Sequence, residues 1–422
     1  MTPKIPGRHI AASSEAAPIT YGFLIRANSA LVMSTFGLFL IPISIALSTD
    51  NKTIAGAFGL FSLVSGFSSP AVGGLVDRFG IRRVQRAGAL LLMLGLLLSA
   101  AALDAWHYYI AMGVLCAAGV TAYTQVPINI LITKLTHKRR LAAFGIVTSG
   151  AGIAGLIVVP LTAWCIDVGG WRLAYVLYAV LVLGTWLPFD RWVGNVELEL
   201  SGTDRTPVSR HTWRQVVVRH LKLSRPEAQL VSMSFFSGLQ RTMIVAFMIP
   251  WAVDHGYSVS ESAQIFGVAE GARAIGGIAI SFAGGRVGAK ITYFFCTTVA
   301  AASTATMLAV DDVGFPALLA AGAMYGFASG GIHPSSSSLQ SVVYHPSRLG
   351  LLFGLSSGVF GIGGGIAITI AGWATHYWSS LDAVIALVIV GLASMSLLVV
   401  GIPGNNRRGP KTKERDGGSV YG

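Results

Sequence analysis

Apolar residues fall in blocks of twenty or more, separated by polar turns that are mostly short, the pattern of helices that cross a bilayer. Twelve such blocks are predicted, roughly at 21–48, 54–76, 84–103, 107–134, 141–166, 172–193, 228–253, 261–283, 290–310, 315–341, 349–373 and 382–402. The first follows a polar, proline-containing leader and is too long for a signal-peptide core, so it reads as a retained span. The pattern divides the chain into an N-terminal segment (1–20), a six-helix half (21–193), a long polar loop (194–227), a second six-helix half (228–403) and a Lys/Arg-rich tail (404–422). The predicted fold class is an all-α membrane protein of twelve transmembrane helices in two halves.

Composition narrows the field. Of 422 residues, 53% are hydrophobic and 11% charged, against roughly 25% charged in soluble domains. This composition cannot furnish a water-facing surface, which excludes a soluble enzyme. The 51 glycines predict helices that approach each other closely. Cys116, Cys165 and Cys296 lie far apart inside apolar runs, and their spacing offers neither a disulfide framework nor a metal site. Neither a metal nor another cofactor is expected.

The net charge of +12 is explained by its distribution. Lys52 and Arg172 fall on the outer side, Arg26, Arg241 and Arg273 fall within spans, and the other basic residues fall on the inner side. The outer turns instead hold Asp50, Asp104, Asp167, Asp254, Asp311 and Asp312. This positive-inside asymmetry places both termini in the cytoplasm, in a plasma membrane of the bacterial inner-membrane type. It also removes nucleic acid as the partner of the basic charge. Trp106, Trp171 and Trp378 mark span ends as interfacial anchors.

The chain repeats itself at an offset of 207 to 209 residues. Phe39-Leu-Ile-Pro42 returns as Phe247-Met-Ile-Pro250, and Arg78, Gly80 and Arg82 return as Arg286, Gly288 and Lys290. Gly119 and Pro127 return as Gly326 and Pro334, and residues 144–164 match 353–373 at seven positions. A near-constant register across the chain implies that six spans were duplicated into twelve. Such repeats build secondary transporters with a site between halves that rock about it.

Between spans two and three the sequence reads Gly73-Gly-Leu-Val-Asp77-Arg78-Phe-Gly80-Ile-Arg82-Arg83. This resembles the signature loop of the major facilitator superfamily. The resemblance implies twelve helices in that fold and a loop that latches the halves in the outward-open state. It makes Gly73, Asp77, Arg78, Gly80, Arg82 and Arg83 the gating candidates, with Asp77 pairing with an arginine or a helix N-terminus. The second copy carries Gly285 where Asp77 would recur.

Further motifs resemble the monocarboxylate-porter branch. These are Lys138-Arg139-Arg140-Leu-Ala with Gly145, Ser149-Gly150 and Gly155, then Gly170-Trp171-Arg172, then Gly256-Tyr-Ser leading to Arg273 and Gly277 in span eight. The branch moves small carboxylates, often with a proton, and a span-eight arginine holds the carboxylate. The sequence departs from the branch at Ala269, where animal members carry an aspartate, with Glu270 one residue later. It also has no lysine between Lys4 and Lys52 or within 349–373.

A charge at the bilayer centre costs about 2.5–3.5 kcal/mol on insertion scales, so intramembrane charges mark function. Arg241, Glu270 and Arg273 together carry a surplus of one positive charge, suited to one anion. Arg273 is the candidate for the carboxylate fork and Glu270 for the coupling proton, the rival reading being an ion pair that only ties spans seven and eight. Arg26, five residues into the predicted first span, reads as snorkelling inward. Uncharged pocket candidates are Asn28, Tyr123, Gln125 and Asn129, then Tyr325, Ser329 and His333, with His333 a second proton candidate. Pro127 and Pro334 are expected to break spans four and ten locally.

The expectation is a monomeric carrier, not an enzyme, for a small organic anion, with a proton as coupling ion and the lipid bilayer as its surroundings. A drug or other small-molecule carrier of the same fold is the alternative. A transporter-derived sensor without flux is a further one.

Overall fold

The computed structural model describes residues 16–136, 139–203, 223–308, 310–378 and 381–402. The expected basic tail, most of the N-terminal segment, the centre of the polar loop and Lys138 lie outside these residues. Among the described residues the chain is helical throughout. The helices are α1 (Ala16–Ala46, bent at Ser34 and Thr35), α2 (Asn51–Phe79), α3 (Ile81–Ala100), α4 (Ala105–Leu135), α5 and α6 (one run, Arg140–Thr203, broken at Gly170) and α7 (Arg225–Asp254). The second half continues with α8 (Val259–Val287), α9 (Ala289–Met307), α10 (Val310–Val343), α11 (Leu349–Trp378) and α12 (Asp382–Val400).

Among the described residues, ten stretches are long and apolar enough to cross a membrane. One of them holds both α5 and α6, joined where Gly170 takes φ 76°. The 19-residue α9 is less apolar and packs between α10 and α12. Polar caps start several helices. Asp50 accepts the Thr53 amide at 2.8 Å ahead of α2, and hydrogen bonds from the Thr53 side chain first and its amide second hold the carboxyl below the usual carboxylate range. Ser224 with Glu227 and Ser258 with Glu261 form capping boxes ahead of α7 and α8.

The repeat is written in the backbone. Gly80 (φ 87°) turns α2 into α3, and Gly288 (φ 102°), at an offset of 208 residues, turns α8 into α9. Ser48 (φ 50°) follows α1, and Gly256 (φ 85°), again at 208, follows α7. Ser48 is the one described non-glycine residue in this left-handed region, a conformation that costs an L residue energy and that glycine adopts freely.

The two expected proline breaks take another form. Just before Pro127, α4 widens into π turns over Thr121–Gln125, as it does over Tyr109–Cys116, and the helix continues to Leu135. The wider turns take up the missing amide of proline without ending the helix. Pro334 likewise lies within the continuous part of α10, whose break falls twenty residues earlier, at Gly314 (φ 68°).

The halves meet chiefly through α2 with α11 and α5 with α8. Their closest approaches are glycine contacts from mid-membrane towards the basic, inner side. A Cβ at Gly73 would collide with the Gly350 carbonyl, one at Gly354 with Ser69, and one at Gly145 with Ser281. Gly66 lies against Gly358 and Gly361. Among the described residues, these contacts hold the two halves together on the side that carries the basic loops.

Candidate functional site

Three charges from α7 and α8 meet in mid-membrane. Arg241 forks onto Glu270, with Nη1 to Oε1 at 2.6 Å and Nη2 to Oε2 at 3.0 Å. Arg273, one helical turn from Glu270, donates to the same Oε2 from Nε at 2.9 Å, and its Nη2 stands 2.8 Å from that oxygen in an ion pair. One carboxylate therefore holds two guanidiniums and leaves one positive charge over. Nη1 of Arg273 has no hydrogen-bond partner among the described residues. Between 25% and 35% of each side chain stays accessible, so the cluster can be reached by a solute.

Behind it, the buried Tyr325 of α10 donates to Gln240 Oε1 at 3.0 Å and acts on Arg241. Ser329 spends its hydroxyl on the Gly326 carbonyl at 2.9 Å, within its own helix. On the other half, Asn28 of α1 donates to Thr185 Oγ1 of α6 at 2.7 Å and to Tyr123 Oη of α4 at 3.3 Å. These contacts order three helices of that half.

Inward of the charged cluster lies a small polar cavity between the halves. Gln125 and Asn129 of α4, Ser237 of α7, His333 and Ser337 of α10 and Ser357 of α11 line it, and Phe360 is its one apolar wall. Gln125 Nε2 donates to Ser357 Oγ at 3.2 Å, joining the two halves across its edge. The His333 ring faces Phe360, centroids 6.4 Å apart.

Arg26 departs from the sequence reading. It does not snorkel, because α1 is already helical at Ala16 and sets Arg26 ten residues into the helix. Its side chain is buried, 9% exposed, and its Nε has no hydrogen-bond partner. Its charge acts on His333, as does that of Arg273.

The loop after α2 divides its work. The Asp77 carboxylate accepts the backbone amides of Gly350 and Leu351, both at 2.9 Å, and so caps α11 of the opposite half. Arg82 instead pairs with Asp190 of α6 at 2.9 Å, joined there by Arg86 at 2.6 Å, inside its own half. Arg78 lies over the Phe79 ring, and Arg83 is exposed. A second inner tie runs from Arg140 Nη1 to Ser341 Oγ, at 3.3 Å. The sequence reading missed Asp190, Gln240, Thr185 and the cavity serines. Of these, the polar run from Ser335 to Ser338 inside an apolar span was the visible signal.

The sequence profile described as Major Facilitator Superfamily matches residues 22–226 and 230–420. Monocarboxylate transporter 13 of Bos taurus is 28% identical over 152 residues, which are 36% of this chain and 35% of that protein. The match therefore spans about a third of either protein. The oxalate:formate antiporter of Oxalobacter formigenes is 24% identical over 391 residues, 88% of this chain and 89% of the relative. Among solved structures, the transporter FucP in its outward conformation superposes with a TM-score of 0.71 at 14% identity, covering 93% of this chain and 99% of that one.

Proposed function

This chain belongs to the major facilitator superfamily and is a multi-pass secondary transporter, not an enzyme; from that premise we propose that it carries a small organic anion, a monocarboxylate first of all, by alternating access with a coupled proton. The observation that carries the reading is the sharing of one Glu270 carboxylate by Arg241 and Arg273 in mid-membrane. A structural ion pair needs one arginine. The second leaves a buried positive charge, which an anionic substrate neutralises when it arrives.

In this reading the three residues have distinct tasks. Arg241 has both Nη atoms on Glu270 and holds the carboxylate in place. Arg273 spends Nε and Nη2 on Glu270 and offers Nη1 to a substrate carboxylate. A proton on Glu270 removes the charge that competes for Arg273, so protonation and anion binding favour each other. Loss of the proton on the opposite side restores the ion pairs and releases the anion. Asp77 and the glycine contacts of α2 and α11 hold the inner side shut while the site loads. Asn28, Tyr123 and Tyr325 shape the walls.

The test is uptake of labelled pyruvate, lactate and oxalate into proteoliposomes, with and without an inward proton gradient. Gradient-driven uptake supports the reading, and no uptake of any carboxylate by folded protein overturns it. The likeness to an antiporter along 88% of the chain favours anion exchange as a second mode. Exchange would show as uptake driven by unlabelled carboxylate inside the vesicle, without a proton gradient.

A further inference from the structure

We infer that a second anion-binding station lies one to two helical turns inward of the charged cluster, made by Arg26 and the polar cavity between α4, α7, α10 and α11. It takes one small carboxylate of the class taken at Arg273, and it rests on the anion-carrier reading above.

The cavity is lined for an anion, and its free space of about 20 Å³, room for roughly one water, must widen to admit a carboxylate as the halves move. Its polar lining is hydroxyls, amides and one imidazole, with no carboxylate among the lining residues. Such groups can turn several O–H and N–H donors towards one solute, and the cavity contains no negative charge to hold a cation. Ser237 and Ser234 of its wall stand four and seven residues inward of Arg241 along α7, which places it one to two turns away.

Arg26 supplies the charge. It is buried within a span, its Nε is unpartnered, and no ion pair to it is found among the described residues. A membrane-buried guanidinium without an acid is costly to keep, and an anion bound beside it would offset that cost. Arg26 is brought towards the cavity by packing, since α1 lies against the Thr121–Leu135 stretch of α4 that carries the lining residues Gln125 and Asn129. An anion leaving Arg273 therefore moves towards a second positive charge. The hydroxyl lining holds it weakly enough to let it leave inward once Gln125 and Ser357 part.

The experiment is calorimetric titration of the full-length purified protein with pyruvate and with oxalate, paired with uptake. It compares wild type, Arg26→Gln, Arg26→Lys, Arg273→Gln and the double glutamine variant. The station predicts that Arg273→Gln keeps weak residual binding that the double variant loses. It also predicts that Arg26→Gln slows uptake by about tenfold or more, the loss expected for one charge-assisted contact, and that Arg26→Lys restores most of it. The melting temperature of Arg26→Gln should equal or exceed that of wild type, because removing an unpaired buried charge does not weaken packing. Where Arg26→Gln fails to fold, Ser337→Val with Ser357→Ala, in the Arg273→Gln background, must abolish the residual binding. The station is overturned if Arg273→Gln abolishes all binding while Arg26→Gln transports like wild type. Binding that is lost in Arg26→Gln but unchanged in Arg273→Gln would sink the assignment of Arg273 and leave the station standing. A wild type that binds neither anion sinks both.

Discussion

The Asp77 carboxylate accepts the Gly350 amide at 2.9 Å, so an acid from one half of the molecule terminates a helix of the other. The bond joins a negative charge to amides at the positive end of α11 and so ties the two halves together. Replacing a capping side chain by alanine costs about 0.5–2 kcal/mol. Asp77→Ala should therefore shift the equilibrium towards the inner-open state by roughly two- to thirty-fold. Labelling of a cysteine placed at Ser341 with an impermeant thiol reagent, applied from the inner side, reads the shift. Unchanged labelling would show that the cap does not hold the gate.

Gly73 and Gly59 lie on the same helix and predict opposite outcomes. A Cβ at Gly73 meets the Gly350 carbonyl, whereas one at Gly59 meets nothing within 4 Å. Gly73→Ala should hinder inner closure and lower uptake severalfold. Gly59→Ala should leave it within about twofold, since a surface change moves stability by only about 0.5 kcal/mol. Equal effects would contradict the packing described.

For Arg273→Ala the expected result is a rise in KM of roughly ten- to a hundredfold, as for loss of a charged hydrogen bond of about 1.5–3 kcal/mol. Arg273→Lys keeps the charge but not the fork, and should recover part of that loss. Substrate titration of initial uptake rates decides the matter. Retention of full affinity in the alanine variant would remove Arg273 from the site.

Glu270→Gln fixes the charge state that protonation would give. With Arg241, Arg273 and Tyr325 around it, the neutral side chain should leave anion exchange intact and abolish stimulation by an inward proton gradient. Uptake should then lose its rise towards acid pH. Gradient-driven accumulation by the variant would place the proton elsewhere.

Asp190 offers a control for the gate. It binds Arg82 and Arg86 within one half, its own carboxylate buried but both arginines part-exposed to screening, so Asp190→Asn should destabilise that half by about 1 kcal/mol. The sidedness of labelling at Ser341 should not change. Thermal melting and labelling together distinguish this role from that of Asp77.

Much of this architecture is readable from residues close in sequence or linked by the repeat. Glu270 and Arg273 share a helix face, Arg241 is charged where charge is rare, and the Asp77 motif is contiguous. What escaped depends on distance along the chain. Asp190 lies 108 residues from Arg82, and nothing local announces the pair. Arg26 was misplaced because the apolar run begins after the helix does, so a buried residue looked like a boundary residue. The cavity escaped because each serine alone reads as a helix-packing residue, and only the folding of α4, α7, α10 and α11 against each other gathers them.

The glycine contacts of α2 and α11 bear on speed. Two helices that touch through Gly66, Gly73, Gly350, Gly354 and Gly358 present smooth backbone to each other, with few interlocked side chains to withdraw before they slip. Little rotamer freedom is frozen on closing, and little is regained on opening. The activation barrier of the rocking motion is then set by a handful of polar bonds, among them those of Asp77, Gln125 and Arg140, which can be tuned one substitution at a time without rebuilding the interface. Turnover in this carrier becomes a property of point contacts, adjustable almost independently of the affinity at Arg273.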